Sequence, residues 1–376
     1  MIPKFSKLRA AFVAGVAIAA LGVSAAVVPA AKAAEPIKIG FSMALTGGLA
    51  GGGKQALLAM EMWANDVNGK GGLLGRQVEL VYYDDQTNPM KVPGIYAKLL
   101  DIDKVDFVVS GYGTNLIAPA LPVVIQRDIV FMGLFGMNNN KKWKYDKYFQ
   151  ILPSGPDPAV DFSRAWFDTV MQLKPTPKSI AFVAADAEFA RNLKEGAVTN
   201  AKRLGLKITY NKNFKPGTPD FTPIIRAVNA TNPDVFYVAS YPPGSAGMTR
   251  AISEVGTKVR AFGGGMVGLQ FAGIMKGLGP KLNGVLNYDF YVPEPNMTLY
   301  PGVTDLLARY QKLAPSRKVD PLGYYLAPWA YAYVQILGDA IKAVGKIDHT
   351  AIAKHIHATE FSTVVGKVKF GKNGEW

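Results

Sequence analysis

The chain has 376 residues, a formal net charge of +14, 39 glycines, 25 prolines and no cysteine. Without cysteine there are no disulfides, thiol nucleophiles, cysteine-ligated metals or lipid-modified N-terminal cysteine. The length suits two domains better than one core, and the lysines and arginines are too scattered for a nucleic-acid surface.

Read from the N-terminus, Lys4, Lys7 and Arg9 precede an uncharged run over 10–28, and Ala31, Lys32 and Ala33 follow Pro29. This is the pattern of a secretory signal peptide, with cleavage expected after Ala33. The run is rich in Ala, Gly and Ser, whose transfer energies are too small for a membrane anchor. Taking the leader's four basic residues, Lys4, Lys7, Arg9 and Lys32, from the total of 42 leaves 38 against 28 acidic ones, about +10 in the exported chain. With no lipid anchor to hold it, that chain is expected in the periplasm of a double-membraned bacterium.

The next segment, 37–43, reads as a strand. Met60, Trp63, Ala64 and Val67 then recur at the spacing of one helical face. Strands are predicted over 78–83, 106–110 and 129–132, and helices over 92–100 and 116–125. Residues 151–158 are dense in Pro and Gly and mark a linker. The alternation restarts with strands over 179–184, 207–210 and 235–239. Its helices are one ending near Leu204 and two more over 221–230 and 247–255. Alternation of this kind predicts an α/β fold of two doubly wound, Rossmann-like lobes with parallel sheets. A ligand cleft then lies between the lobes, beyond the carboxyl ends of the strands.

The motifs suggest no catalysis. Gly48, Gly53 and Lys54 fit a phosphate loop, but Gln55 stands where magnesium binding needs Ser or Thr. Gly263, Gly265 and Gly268 fit a dinucleotide fingerprint with no β-α-β unit behind it, and read as a cleft loop. Asp84 and Asp85 are expected to end a strand and cap the next helix. Lys141, Lys142, Lys144 and Lys147 read as a solvated turn. His349, His355 and His357 lie on one helical stretch without the spacing of a shared metal site. No cofactor, metal or catalytic set is expected.

A joint pattern is more specific. Ile37, Lys38, Ile39 and Gly40 lead through Leu45, Thr46 and Gly47 to Asn65, Asp66, Val67 and Asn68. Gly71, Gly72, Leu73, Leu74, Gly75 and Arg76 follow, then Tyr82, Tyr83, Asp84, Asp85, Asn88 and Pro89. This block resembles the solute-binding proteins of branched-chain amino acid ABC importers, the leucine-binding-protein family with the type I periplasmic binding fold. The resemblance implies a two-lobed clamp with three crossovers, placed near Leu152, Asn287 and Val364. The first lobe is then 35–152 plus 288–363, and the second 153–287 plus 364–376. It also implies a monomer that closes on a small solute and docks on a membrane permease. A sensory subunit signalling to a kinase or chemoreceptor is the alternative on the same fold.

Carried onto this sequence, the resemblance places ligand contacts at Gly52, Thr114, Phe135, Gly136, Met137, Phe189, Tyr241, Met266 and Tyr325. Thr114 matches a carboxylate grip, and Thr114→Val is expected to weaken binding by about 1.5–3 kcal/mol and leave the fold intact. Phe135, Gly136 and Met137 replace small residues and a threonine hydroxyl. The acidic partner of an amino-acid ammonium falls at Gly265 or Met266, which cannot pair with a cation. Gly52 stands near a usual aromatic and is expected to widen the pocket. Phe189, Tyr241 and Tyr325 match aromatic walls. The solute is then either an aromatic or apolar carboxylate, or an amino acid whose ammonium pairs with another acid such as Glu188. Residues 365–370 are expected as a strand of the second lobe with an open edge, and Trp376 as exposed, because the chain stops short of the usual final strand.

Overall fold

The computed structural model describes residues 34–293, 300 and 302–376, so the expected leader lies outside the described residues. The first half runs β1 (Ile37–Met43), α1 (Ala50–Asn68), β2 (Val78–Asp84), α2 (Val92–Asp101) and β3 (Phe107–Tyr112), then α3 (Thr114–Ile117), α4 (Leu121–Gln126), β4 (Phe131–Leu134) and β5 (Tyr148–Gln150). The predicted helix over 116–125 is broken into α3, a 3-10 turn and α4. Pro119 and Pro122 lie within it, and each lacks an amide and crowds the preceding turn.

The second half runs α5 (Pro158–Val170), β6 (Ser179–Ala185), α6 (Glu188–Arg203), β7 (Lys207–Phe214) and α7 (Thr222–Ala230), then β8 (Val235–Ser240), α8 (Pro242–Val255), β9 (Phe262–Met266), α9 (Ala272–Leu278) and β10 (Val285–Asn287). The chain closes with α10 (Val303–Arg317), α11 (Ala327–Val344), α12 (His349–Ala358), β11 (Phe361–Thr363) and β12 (Gly366–Val368). No helix of the described residues is long and apolar enough to cross a membrane.

Two five-stranded sheets result, β2-β1-β3-β4-β5 and β10-β9-β8-β6-β7, every pair parallel. Counted within each lobe, the spatial order is the same, 2-1-3-4-5, so one doubly wound unit occurs twice. Strands buried on both faces need continuous apolar runs, and β1, β3, β6 and β8 supply them. The crossing between lobes reaches α5, whose first turn carries Pro158 where a helix tolerates it.

Residues 263–265 form the buried strand β9, where a cleft loop was expected. The glycines are there for packing. A Cβ at Gly264 would lie 2.2 Å from the Tyr237 ring, and one at Gly265 would lie 2.3 Å from Leu193.

The late helices return to the first lobe. Arg309 Nη1 of α10 and the Tyr331 hydroxyl of α11 both donate to Asp66 of α1 at 2.8 Å. The end of the chain stays there too, which corrects its expected place in the second lobe. β12 pairs antiparallel with β11, Phe370 packs on Phe149, and the Gln150 amide donates to the Gly374 carbonyl at 2.8 Å. The Ser154 and Gly155 amides donate to the Trp376 carbonyl, and Trp376 is half-buried. The physical reason is the β5 edge, whose free backbone groups need partners.

The lysine-rich turn is not wholly solvated. Lys147 is buried and donates to Asp128 Oδ2 at 2.6 Å and to the Thr350 hydroxyl at 2.8 Å.

The Asp84 and Asp85 pair ends β2 as expected but caps no helix. Asp84 accepts from the Leu45, Thr46 and Gln86 amides and the Thr46 hydroxyl, pinning the loop after β1. Asp85 is fully buried and accepts from the Thr87 amide, while its Oδ2 has no hydrogen-bond partner among the described residues. Burial pushes its carboxyl up to about 6, against the pull of the Thr87 amide. An unfolded aspartate titrates near pH 4, so the folded state holds the proton more tightly. This residue therefore supports folding fully below about pH 4 and less as pH rises through about 6. Asp85→Asn is expected to be more stable than the wild type at pH 8 by roughly 2–3 kcal/mol, with the gap closing near pH 4. Urea midpoints at the two pH values check this, and no gain at pH 8 overturns it.

Candidate functional site

The loops after β1, β3 and β4 face those after β6, β8 and β9. Between them lies an inner cavity of about 20 Å³. Leu49, Gly113, Thr114 and Phe135 line it from the first lobe, and Phe189, Tyr241 and Val267 from the second. Leu152, Phe162, Tyr288 and Phe290 come from the crossings and α5, with Tyr112 and Tyr325 completing the wall. Room of that size holds about one water. A larger ligand enters only if the aromatic side chains or the lobes move apart.

Contacts across the cleft hold it shut. The Tyr241 hydroxyl donates to Asn115 Oδ1 at 3.2 Å and Asn192 Nδ2 donates to the Met137 carbonyl at 3.3 Å. The Ala272 amide donates to Asp320 Oδ2 at 2.7 Å.

Thr114 is fully buried at the start of α3. Its Oγ1 accepts from the Met137 amide at 3.1 Å, and its carbonyl accepts from Asn139 Nδ2 at 2.9 Å. The hydroxyl proton has no acceptor among the described residues. Phe135 sits at φ 59°, a left-handed conformation rare for a bulky residue and typical of functional sites. There its ring packs at 4.5 Å on Phe290 and edge-on at 5.6 Å to Tyr325.

Three phenols share one chain of hydrogen bonds. The Tyr112 hydroxyl donates to that of Tyr325 at 3.1 Å, and the Tyr325 and Tyr288 hydroxyls lie 3.1 Å apart. Burial holds all three well above the ordinary tyrosine range, so they stay protonated at neutral pH.

Of the residues expected from sequence, Thr114, Phe135, Phe189, Tyr241 and Tyr325 line the cavity. Gly52, Gly136, Met137 and Met266 do not. A Cβ at Gly52 would lie 2.6 Å from Tyr112, so the tyrosine fills the space that a glycine was expected to open. Gly136 is packed under the Tyr148 hydroxyl and Asn139. Met137 contributes through its backbone. Met266 is buried with its amide and carbonyl bound to the Asn287 side chain, and Val267 reaches the cavity instead. The sequence reading missed Tyr112, Phe162, Tyr288 and Phe290. The signal for the last two was the alternation of Tyr288 and Phe290 just after β10.

Outside this cavity a larger hollow of about 710 Å³ shares Leu49 and Tyr241 with it. Glu188, Asp186 and Arg191 line the hollow, and Arg191 pairs with Asp186 at 2.9 Å. Burial pushes the Glu188 carboxyl up, with the Arg191 charge acting against it. Among the described residues no carboxylate or cation lines the inner cavity.

Known proteins agree with this architecture. The sequence model of the periplasmic binding protein family matches residues 36–375. A Leu/Ile/Val-binding protein homolog of Brucella abortus is 24% identical over 345 residues, covering 90% of this chain and 87% of that protein. The structure of a leucine binding protein from Thermotoga maritima superposes with a TM-score of 0.77 at 19% identity, covering 90% of this chain and 92% of that one. A solute binding protein of an ABC transporter from Rhodopseudomonas palustris, solved with p-hydroxybenzoic acid, gives 0.75 at 17% identity, covering 91% and 90%.

Proposed function

The chain belongs to the periplasmic binding protein family, of the type I branched-chain amino acid class, and from that premise we propose a solute receptor for an aromatic or apolar carboxylate. It works in the periplasm, closes its lobes on the solute and delivers it to the permease of an ABC importer. One observation carries the choice of ligand. The inner cavity has aromatic walls and an unused threonine proton, and no acid of the described residues lines it. A carboxylate can accept from Thr114. An ammonium brought there would be buried unpaired, at a cost of several kcal/mol. That one of the structural relatives was solved with an aromatic acid supports the same ligand class.

A second reading, an amino acid, rests on Glu188, whose half-buried carboxyl lines the adjoining hollow. Thermal shift of the purified protein separates the two, since a ligand bound only by the folded state raises its stability. Benzoate and phenylpropanoid acids are expected to raise the melting temperature more than leucine does. Stabilisation by leucine with no response to aromatic acids overturns the proposal.

A further inference from the structure

We propose that the phenol chain Tyr112–Tyr325–Tyr288 is a second polar anchor of the ligand, selecting an aromatic acid that carries an oxygen on its ring. The inference rests on the reading of the site as an aromatic-carboxylate pocket. It follows from a count of protons. Three phenols bring three O–H donors, and their two mutual hydrogen bonds use two of them. Tyr112 donates to Tyr325, so the third proton belongs to Tyr325 or Tyr288, whichever does not donate to the other.

No other acceptor among the described residues takes that proton, although Tyr325 is buried and Tyr288 half-buried. All three rings line the cavity. A buried donor with no acceptor is costly, and a ligand oxygen placed beside it removes the cost. Thr114 adds a second unused hydroxyl proton in the lining of the same cavity. The Tyr241 hydroxyl is occupied by Asn115. Among the described residues the polar lining thus offers two surplus donors and no side-chain carboxylate. It suits a ligand with two separate acceptors, one carboxylate and one ring oxygen. The phenols remain protonated because burial disfavours their charged form, so the anchor persists through neutral and mildly alkaline pH.

Sites built to hydrogen-bond a ligand hydroxyl discriminate against analogues that lack it, because the site's own polar groups are then left unpaired. Titration calorimetry of the full exported protein with benzoate, 3-hydroxybenzoate and 4-hydroxybenzoate tests the anchor. At least one hydroxybenzoate is expected to bind about tenfold more tightly than benzoate. Read as the ratio of hydroxybenzoate to benzoate affinity, that advantage should vanish in the triple variant Tyr112→Phe, Tyr288→Phe, Tyr325→Phe; Tyr288→Phe or Tyr325→Phe alone still leaves a surplus phenol proton by the same count. If melting shows the triple variant unfolded, 3- and 4-aminobenzoate on the wild type decide the matter: an aniline nitrogen donates but accepts poorly, so neither should share the advantage. Equal affinity for all three acids in the wild type overturns the anchor and leaves the pocket reading intact. So does an advantage that survives the triple variant, or one that the aminobenzoates share in full. Failure of the wild type to bind any of them overturns the pocket reading as well.

Discussion

Thr114→Val is expected to weaken binding of an aromatic carboxylate such as benzoate by about 1.5–3 kcal/mol, the worth of a hydrogen bond to a charged group. The substitution keeps the shape of the side chain and deletes only the hydroxyl. The structure adds a consequence that the sequence did not suggest. Thr114 Oγ1 accepts from the Met137 amide at 3.1 Å, and both residues are fully buried. Removing the oxygen leaves that amide unpaired, at a further cost to folding of about 1–3 kcal/mol. The fold is therefore not left intact, as the sequence alone implied, and a lower urea midpoint should accompany the lost affinity. Thr114→Ser retains the acceptor and the donor and should stay within about 1 kcal/mol of the wild type on both measures. An unchanged dissociation constant for the valine variant removes Thr114 from the site.

A larger loss of stability is expected at Gly263. Its φ of +131° is a conformation that side chains rarely adopt, and a Cβ there would lie 2.2 Å from the Leu286 carbonyl oxygen. That carbonyl sits in the β9–β10 ladder opposite Gly263 and accepts from the Trp166 indole at 2.9 Å. Backbone held from two sides cannot yield cheaply, so Gly263→Ala combines conformational strain with overpacking, about 3–5 kcal/mol in all. β9 leads into Val267 and β10 into Tyr288, so ligand affinity should fall with stability. Gly273→Ala is the control. It lies exposed in α9 with nothing within 4 Å of an added Cβ, and should be neutral or stabilising by up to roughly 1 kcal/mol. Equal urea midpoints for the two variants would show that the β9 ladder tolerates a side chain.

The sequence by itself determined the alternation of strands and helices, because strand and helix periods are local properties of the chain. Strand 37–43 and the helical face through Met60, Trp63, Ala64 and Val67 were legible for that reason. The family was legible too, through a block of residues whose order needs no folding to be read. Which of the aligned residues reach the cavity was not. Gly52, Gly136, Met137 and Met266 lie at the expected positions in the chain, yet neighbours brought from elsewhere take the space or the hydrogen bonds. β9 was hidden because its glycines answer to Tyr237, Leu193 and Leu286 across the sheet and core, not to any local preference. The end of the chain was misplaced because its partner, the β5 edge, lies more than 200 residues earlier. The three phenols are the sharpest case, because Tyr112, Tyr288 and Tyr325 are far apart in sequence and only the packing of the crossings joins them. Local pattern reports what each segment becomes, and only tertiary packing decides which hydroxyls meet.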